Sequence, residues 1–287
     1  MSAPTPPPTP TSALPSRQVL STRLALAIGV FLAIVIGLIA GERIFAVVVA
    51  ALAGFAAFDL AKRLNGSHPR RPDEALETDE PGAGTLEPTP VAVVVAGAVV
   101  TCLGAGWRLR GTLAIYLGLA VAMAIMAVWG MSRTDRPGLS SALGRSAAVI
   151  FVTGFGASHL VLMRREPSGT RLVVFLVVSV ALYEAAATIF EAGTVQLRPG
   201  HNRPAPVAGA ILCFLNGLIF STVANPPLRP GSGVVIGVCI ALAAAAGRAL
   251  PAFFDSAMSE GGIEVGAVTG MLFVAAPVAY YVGRVVI

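Results

Sequence analysis

Lysine is nearly missing from this chain: of 20 basic residues only Lys62 is a lysine, and the others are arginines. That scarcity excludes a phosphate-binding P-loop, whose Gly-x-x-x-x-Gly-Lys-Ser/Thr pattern needs a lysine behind its glycines. It also excludes a Schiff-base enzyme, which needs a lysine in its pocket; Lys62 sits in neither setting. Charge of either sign is scarce, at 12% of residues against about 25% in a soluble domain. Cysteine is limited to Cys102, Cys213 and Cys239, all inside apolar runs without a CxxC or Cys/His pairing, so they read as packed thiols with no disulfide framework or zinc site. No nucleophilic-serine motif, His-Glu-x-x-His or internal repeat occurs.

Hydrophobic residues make up 55% of the 287 residues, and the mean hydropathy is +0.80. The sequence therefore describes an all-α, polytopic integral membrane protein. The net charge of +5 does not point to nucleic acid. The arginines flank the apolar runs, where anchoring to anionic membrane lipids accounts for them.

A spanning helix needs roughly 20 apolar residues. Runs of about that length occur at 24–40, 44–61, 90–107, 111–131, 146–163, 171–192, 205–224, 232–252 and 265–286, which predicts about nine transmembrane helices. Residues 1–22 form a Pro-rich tail expected to be disordered, 23–63 a two-helix unit, 64–90 a charged linker and 91–287 a seven-helix body. Alternating loops put 12 basic residues on the N-terminal side and 8 on the other. The positive-inside rule then places the N-terminus in the cytoplasm and the protein in the cell membrane.

Within the apolar runs the sixth stands apart, because Glu184 and Glu191 both fall inside it. Seven residues apart, they share a helix face with Thr188 between them. A carboxylate in hydrocarbon is costly unless paired, protonated or hydrated, so this stripe is a candidate site. The plainer alternative leaves Glu191 snorkelling at the helix end and Glu184 paired with an arginine of a neighbouring helix. After this run, Arg198, His201 and Arg203 form a short basic loop able to hold a phosphate, or simply to anchor helix ends. The end of the eighth run and its loop bring Arg248, Asp255, Glu260 and Glu264, whose carboxylates offer oxygen ligands for Mg²⁺ or form a solvated acidic loop. His159, without a carboxylate or cysteine nearby in sequence, reads as a hydrogen-bonded packing residue.

Taken in order, these positions resemble the phosphatidate cytidylyltransferase (CDP-diacylglycerol synthase) family. The last run carries Phe273, Ala275, Ala276, Pro277, Val278, Tyr280 and Tyr281, similar to that family's Phe-x-Ala-Ala-Pro-Val-x-Tyr-Tyr ending. Arg23, Leu24, Ala27 and Ile28 resemble its opening, and Asp59, Lys62 and Arg63 the end of its second helix. The resemblance implies the family's polytopic helical fold, its reaction of CTP with phosphatidate in phospholipid metabolism, and Mg²⁺ as cofactor.

The catalytic signatures depart from the family pattern. Glu184 and Thr188 stand where the family has Asp and, four residues on, Tyr. The Ser-Pro-Lys-Lys-Thr-Trp-Glu-Gly segment falls on 199–206, with His201 and Asn202 in place of its lysines. The Gly-Asp-Leu-x-Glu-Ser-x-x-Lys-Arg segment falls on 247–256, where Arg248 replaces Asp, Pro251 Glu, Ala252 Ser and Asp255 Lys. Gly261 and Gly262 of the Gly-Gly-x-x-Asp-Arg box persist, but Val265 and Gly266 take the Asp-Arg places. Expected, then, is a degenerate member, a pseudoenzyme that binds a lipid phosphate through Arg198, His201, Arg203 and Arg248, or that engages a membrane partner or a second copy of itself. Two alternatives stand beside it. One is a divergent active enzyme with Glu184, Asp255 and Glu260 on the metal and the arginines on the phosphates. The other is a small transporter using Glu184 and Glu191.

Overall fold

A computed structural model describes residues 17–66, 90–106, 112–132, 139–197, 204–223, 230–254 and 265–286. These form α1 (Arg17–Ala40), α2 (Glu42–Gly66), α3 (Val91–Gly106), α4 (Thr112–Met131), α5 (Leu139–Ile150), a π-helical turn (Phe151–Phe155), α6 (Gly156–Arg165), α7 (Gly169–Leu197), α8 (Pro204–Val223), α9 (Pro230–Phe254) and α10 (Val265–Val286). No strand occurs among the described residues. Every apolar run of the sequence falls on a helix. By length and composition, seven helical stretches among the described residues are apolar and long enough to cross a membrane, with two shorter apolar helical stretches, Ile28–Ala40 and Val91–Gly106. The 1–16 stretch and residues 67–89 of the linker lie outside the described residues.

Neighbours in sequence pack side by side: α2 on α3, α3 on α4, α7 on α8, α8 on α9 and α9 on α10. One glycine makes the first reversal possible, since Gly41 alone joins α1 to α2 and takes φ 111°, a left-handed conformation that a side chain would resist. α6 sits inside the bundle, touching α2, α3, α7 and α10, and every residue from Gly156 to Met163 is buried.

The outside of the bundle is apolar. Ile39, Val128, Ile189, Leu242 and Val285 are among many large hydrophobic side chains left exposed, a surface that water does not tolerate at this extent and hydrocarbon does. The large buried side chains, led by Tyr183, Phe45, Phe175 and Phe273, fill the interior together with many alanines. Cys102 and Cys213 are buried thiols and Cys239 is half-buried, none of them bridged.

The sequence gives no sign of the π turn that divides the fifth run. Around it, small polar side chains bond back to the preceding turn: Thr153 Oγ1 donates to the Val149 carbonyl (2.7 Å), and Ser158 Oγ lies within reach of the carbonyls of Gly154 (2.6 Å) and, across the helix contact, Thr101 (3.0 Å). Such side-chain donors share carbonyls that the helix backbone would otherwise hold alone. Just beyond the π turn, Gly156 lies against α10, where an added Cβ would run into the Phe273 carbonyl oxygen. That carbonyl precedes Pro277 by four residues, and proline has no amide hydrogen to offer it. The backbone of α6 thus packs directly on the carbonyl that Pro277 leaves without its regular helical donor.

Candidate functional site

Tyr183 fixes how α7 is turned. Its side chain is fully buried and its ring lies on α8 where Gly209 leaves room; a Cβ there would meet the ring at 2.7 Å. One turn earlier, Asn216 donates to Ser179 Oγ (2.8 Å) and the Cys213 thiol approaches the Ser179 carbonyl (3.2 Å), so two further contacts lock α7 against α8. With Tyr183 held there, the next residue, Glu184, points about 100° further round the helix and reaches α9.

On α9 the equivalent anchor is Gly247. Its missing side chain lets the helix press on α10, an added Cβ meeting the Met271 Cα at 2.6 Å. Arg248 follows and turns toward α7. Arg248 Nε stands 3.7 Å from Glu184 Oε2, with only 18% of the arginine side chain and 12% of the glutamate side chain exposed. At that separation the contact is an ion pair and not a hydrogen bond. Thr188 Oγ1, one turn along α7, donates to the other carboxylate oxygen of Glu184 at 3.3 Å. A guanidinium within ion-pair distance of a covered carboxylate offsets part of what it costs to take either group out of water.

Of the residues singled out in the sequence, Glu184 and Arg248 are brought together, on the stripe shared with Thr188. Arg198, His201, Arg203, Asp255 and Glu260 lie outside the described residues, as does the side chain of Glu191. Among the described residues no group of three or more His, Cys, Asp or Glu side chains gathers to hold a metal. The arrangement named as the plainer alternative, Glu184 beside an arginine of a neighbouring helix, is the one found.

A second polar cluster gathers at the opposite end of the bundle, where α6 passes into α7 and α10 ends. His159 is buried, with Nδ1 2.8 Å from the Phe155 carbonyl. A carbonyl only accepts, so Nδ1 carries the proton and Nε2 offers its lone pair to the Tyr281 hydroxyl, 3.4 Å away. The imidazole also packs at a tilt against the Phe155 ring and stands edge-on to Tyr280, as expected of a hydrogen-bonded packing residue. Tyr280 donates to Glu166 (3.4 Å), and Arg284 reaches both Tyr280 (3.3 Å) and Glu166 (3.8 Å). Arg165 pairs with Glu42 at the start of α2 (2.6 Å) and donates to the Ala105 carbonyl in the last turn of α3 (3.1 Å). Of this cluster the sequence marks His159 and the Tyr280–Tyr281 pair but not its charges, since the Arg164-Arg165-Glu166 triplet closing an apolar run reads as ordinary headgroup anchoring.

No family model matches the chain, and no curated protein matches it.

Proposed function

We propose that this protein sits in the cell membrane with its N-terminus in the cytoplasm, spans it with nine helices, and binds a lipid phosphate at the α7–α9 crossing without transferring a nucleotide to it. The observation that carries this reading is the identity of Glu184's partner. Phosphatidate cytidylyltransferase chemistry, which the chain resembles in its helix order and its last helix, needs carboxylates on Mg²⁺ and cations around the triphosphate. Here the carboxylate of α7 faces a guanidinium on α9, at a position where the family pattern carries an Asp. A cation in that place repels a divalent metal and attracts a phosphate.

Glu184 then serves to orient Arg248. One assay decides between binding and turnover. Purified protein is given phosphatidate, CTP and Mg²⁺, and CDP-diacylglycerol is measured alongside retention of phosphatidate. Retention that weakens in Arg248→Gln, without product, is the expected result. Product formation that Glu184→Ala abolishes would install the divergent-enzyme reading instead.

A further inference from the structure

The cluster at the α6–α7 turn is charged unevenly. Arg165 is matched by Glu42 and by the end of α3, and Arg284 by Glu166 and Tyr280. Arg164, the residue just before Arg165, makes no hydrogen bond or ion pair among the described residues. Its Nε is nevertheless shut off from water. A guanidinium does not shed its proton at any physiological pH, and a covered N–H without an acceptor costs about 1–3 kcal/mol, more when it is charged. Native structures retain such a group chiefly where a ligand, ion or water completes it.

Position narrows what that acceptor is. Arg164 occupies the last turn of α6, five residues before α7 begins at Gly169 with its buried backbone against the Met163 and Arg164 carbonyls. The turn joins two apolar helices of spanning length, which sets it at the depth of lipid headgroups. A planar fork of donors at that depth matches the tetrahedral oxygens of a phosphate. Glu184 lies 15 residues further along α7, roughly 22 Å away at ~1.5 Å per residue, so the two places are separate.

We propose that Arg164 is the anchor of a second anion site, which takes a phosphate group at the bundle end opposite the Glu184–Arg248 pair. The phosphate comes from a lipid headgroup or from solution, and the probes separate the two. The purified full chain is titrated calorimetrically with dioctanoyl phosphatidate, with inorganic phosphate and with dioctanoylglycerol, which lacks the phosphate. In parallel, modification of Arg164 in the wild-type chain by an arginine-specific dicarbonyl is followed by peptide mass spectrometry, a local readout that needs no variant to fold.

Expected is slowed modification of Arg164 in phosphatidate but not in dioctanoylglycerol. At this site affinity falls about tenfold or more in Arg164→Gln, the size of one charge-assisted hydrogen bond, and is partly restored in Arg164→Lys, which keeps the charge and loses the fork. Equal protection by inorganic phosphate identifies a soluble anion as sufficient, and protection by phosphatidate alone identifies the headgroup. Modification of Arg164 at the same rate with and without both phosphates overturns the proposal, as does unchanged binding in a folded Arg164→Gln.

Discussion

Two places in this bundle bring charge into contact with apolar helices, and they do so in opposite ways. At the α7–α9 crossing one acid meets one base, both largely covered, and Thr188 supports the carboxylate. At the α6–α10 end the ions are several and partly wet: Arg284 is 58% exposed and Glu166 36%. The same pair of functional groups therefore carries different energies in the two places. Covered ions depend on each other, because removing one strands the other in a medium of low polarity. Wet ions fall back on water. What holds the second region together is instead the approach of Gly156 to the Phe273 carbonyl, a contact of backbone with backbone.

The largest effect is accordingly expected at that approach. In Gly156→Val the new side chain meets the Phe273 carbonyl, and neither partner is a flexible side-chain end that can swing aside. Loss of at least about 3 kcal/mol is expected, seen as loss of the monodisperse folded protein in detergent. Gly144→Ala is the matching control, because nothing lies within 4 Å of an added Cβ there, and helix propensity favours alanine by roughly 1 kcal/mol. If Gly156→Val melted like the wild type, the α6–α10 seam would not be the close contact described.

Next in size is the covered pair. Glu184→Ala leaves Arg248 largely shielded from water without its carboxylate, and a loss of about 3–5 kcal/mol is expected for breaking a buried pair. The double replacement Glu184→Leu with Arg248→Met should recover most of that stability, since apolar side chains of similar volume often match or exceed a buried ion pair. Phosphatidate retention should stay lost in the double variant. Thermal unfolding and lipid retention read together separate the pair's structural role from its binding role. Recovery of both in the double variant would remove Arg248 from any site.

Helix existence was legible in the sequence, because runs of apolar residues are what a bilayer demands and nothing else in the chain imitates them. Glu184 was legible for the same reason, as a charge where charge is costly. Its partner was not: Arg248 sits near the end of α9, where any arginine reads as a headgroup anchor, and only the close approaches at Gly209 and Gly247 turn α7 and α9 to face each other. The π turn was hidden as well. Side-chain to backbone bonds from Thr153, Ser158 and His159 surround it, and the same kind of bond from Thr101 and Ser146 sits in regular helix, so no residue pattern announces it. Arg164 was passed over because sequence shows three charges in a row and not which of them finds a partner.

A middle-sized effect is expected from Arg165. It is about one quarter exposed and bonded both to Glu42 and to the Ala105 carbonyl at the end of α3. Water can replace part of the ion pair, but a helix-terminal carbonyl left by its donor needs a new one. Arg165→Gln should cost about 1–2 kcal/mol, with increased hydrogen exchange confined to the end of α3 and the start of α2. Exchange unchanged there would mean that the α1–α2 reversal and α3 are tied together by packing alone.

The smallest effect is expected at Arg284, and it is the test that most sharpens the contrast between the two ends. Its ion pair with Glu166 spans 3.8 Å and is more than half open to its surroundings. Its hydrogen bond to Tyr280 is long at 3.3 Å, and its guanidinium stands 5.7 Å from the Tyr280 ring. Each of these contacts is weak where water competes, so Arg284→Gln should cost less than about 1 kcal/mol, a fall in melting temperature of no more than ~3 °C for a chain of this size. The Tyr280 hydroxyl keeps Glu166 as its acceptor, so the aromatic group around His159 stays in place without the arginine. A loss as large as that of Glu184→Ala would show that the α6–α10 end is as dry as the α7–α9 crossing, and the difference drawn between covered and wet ions would not hold for this bundle.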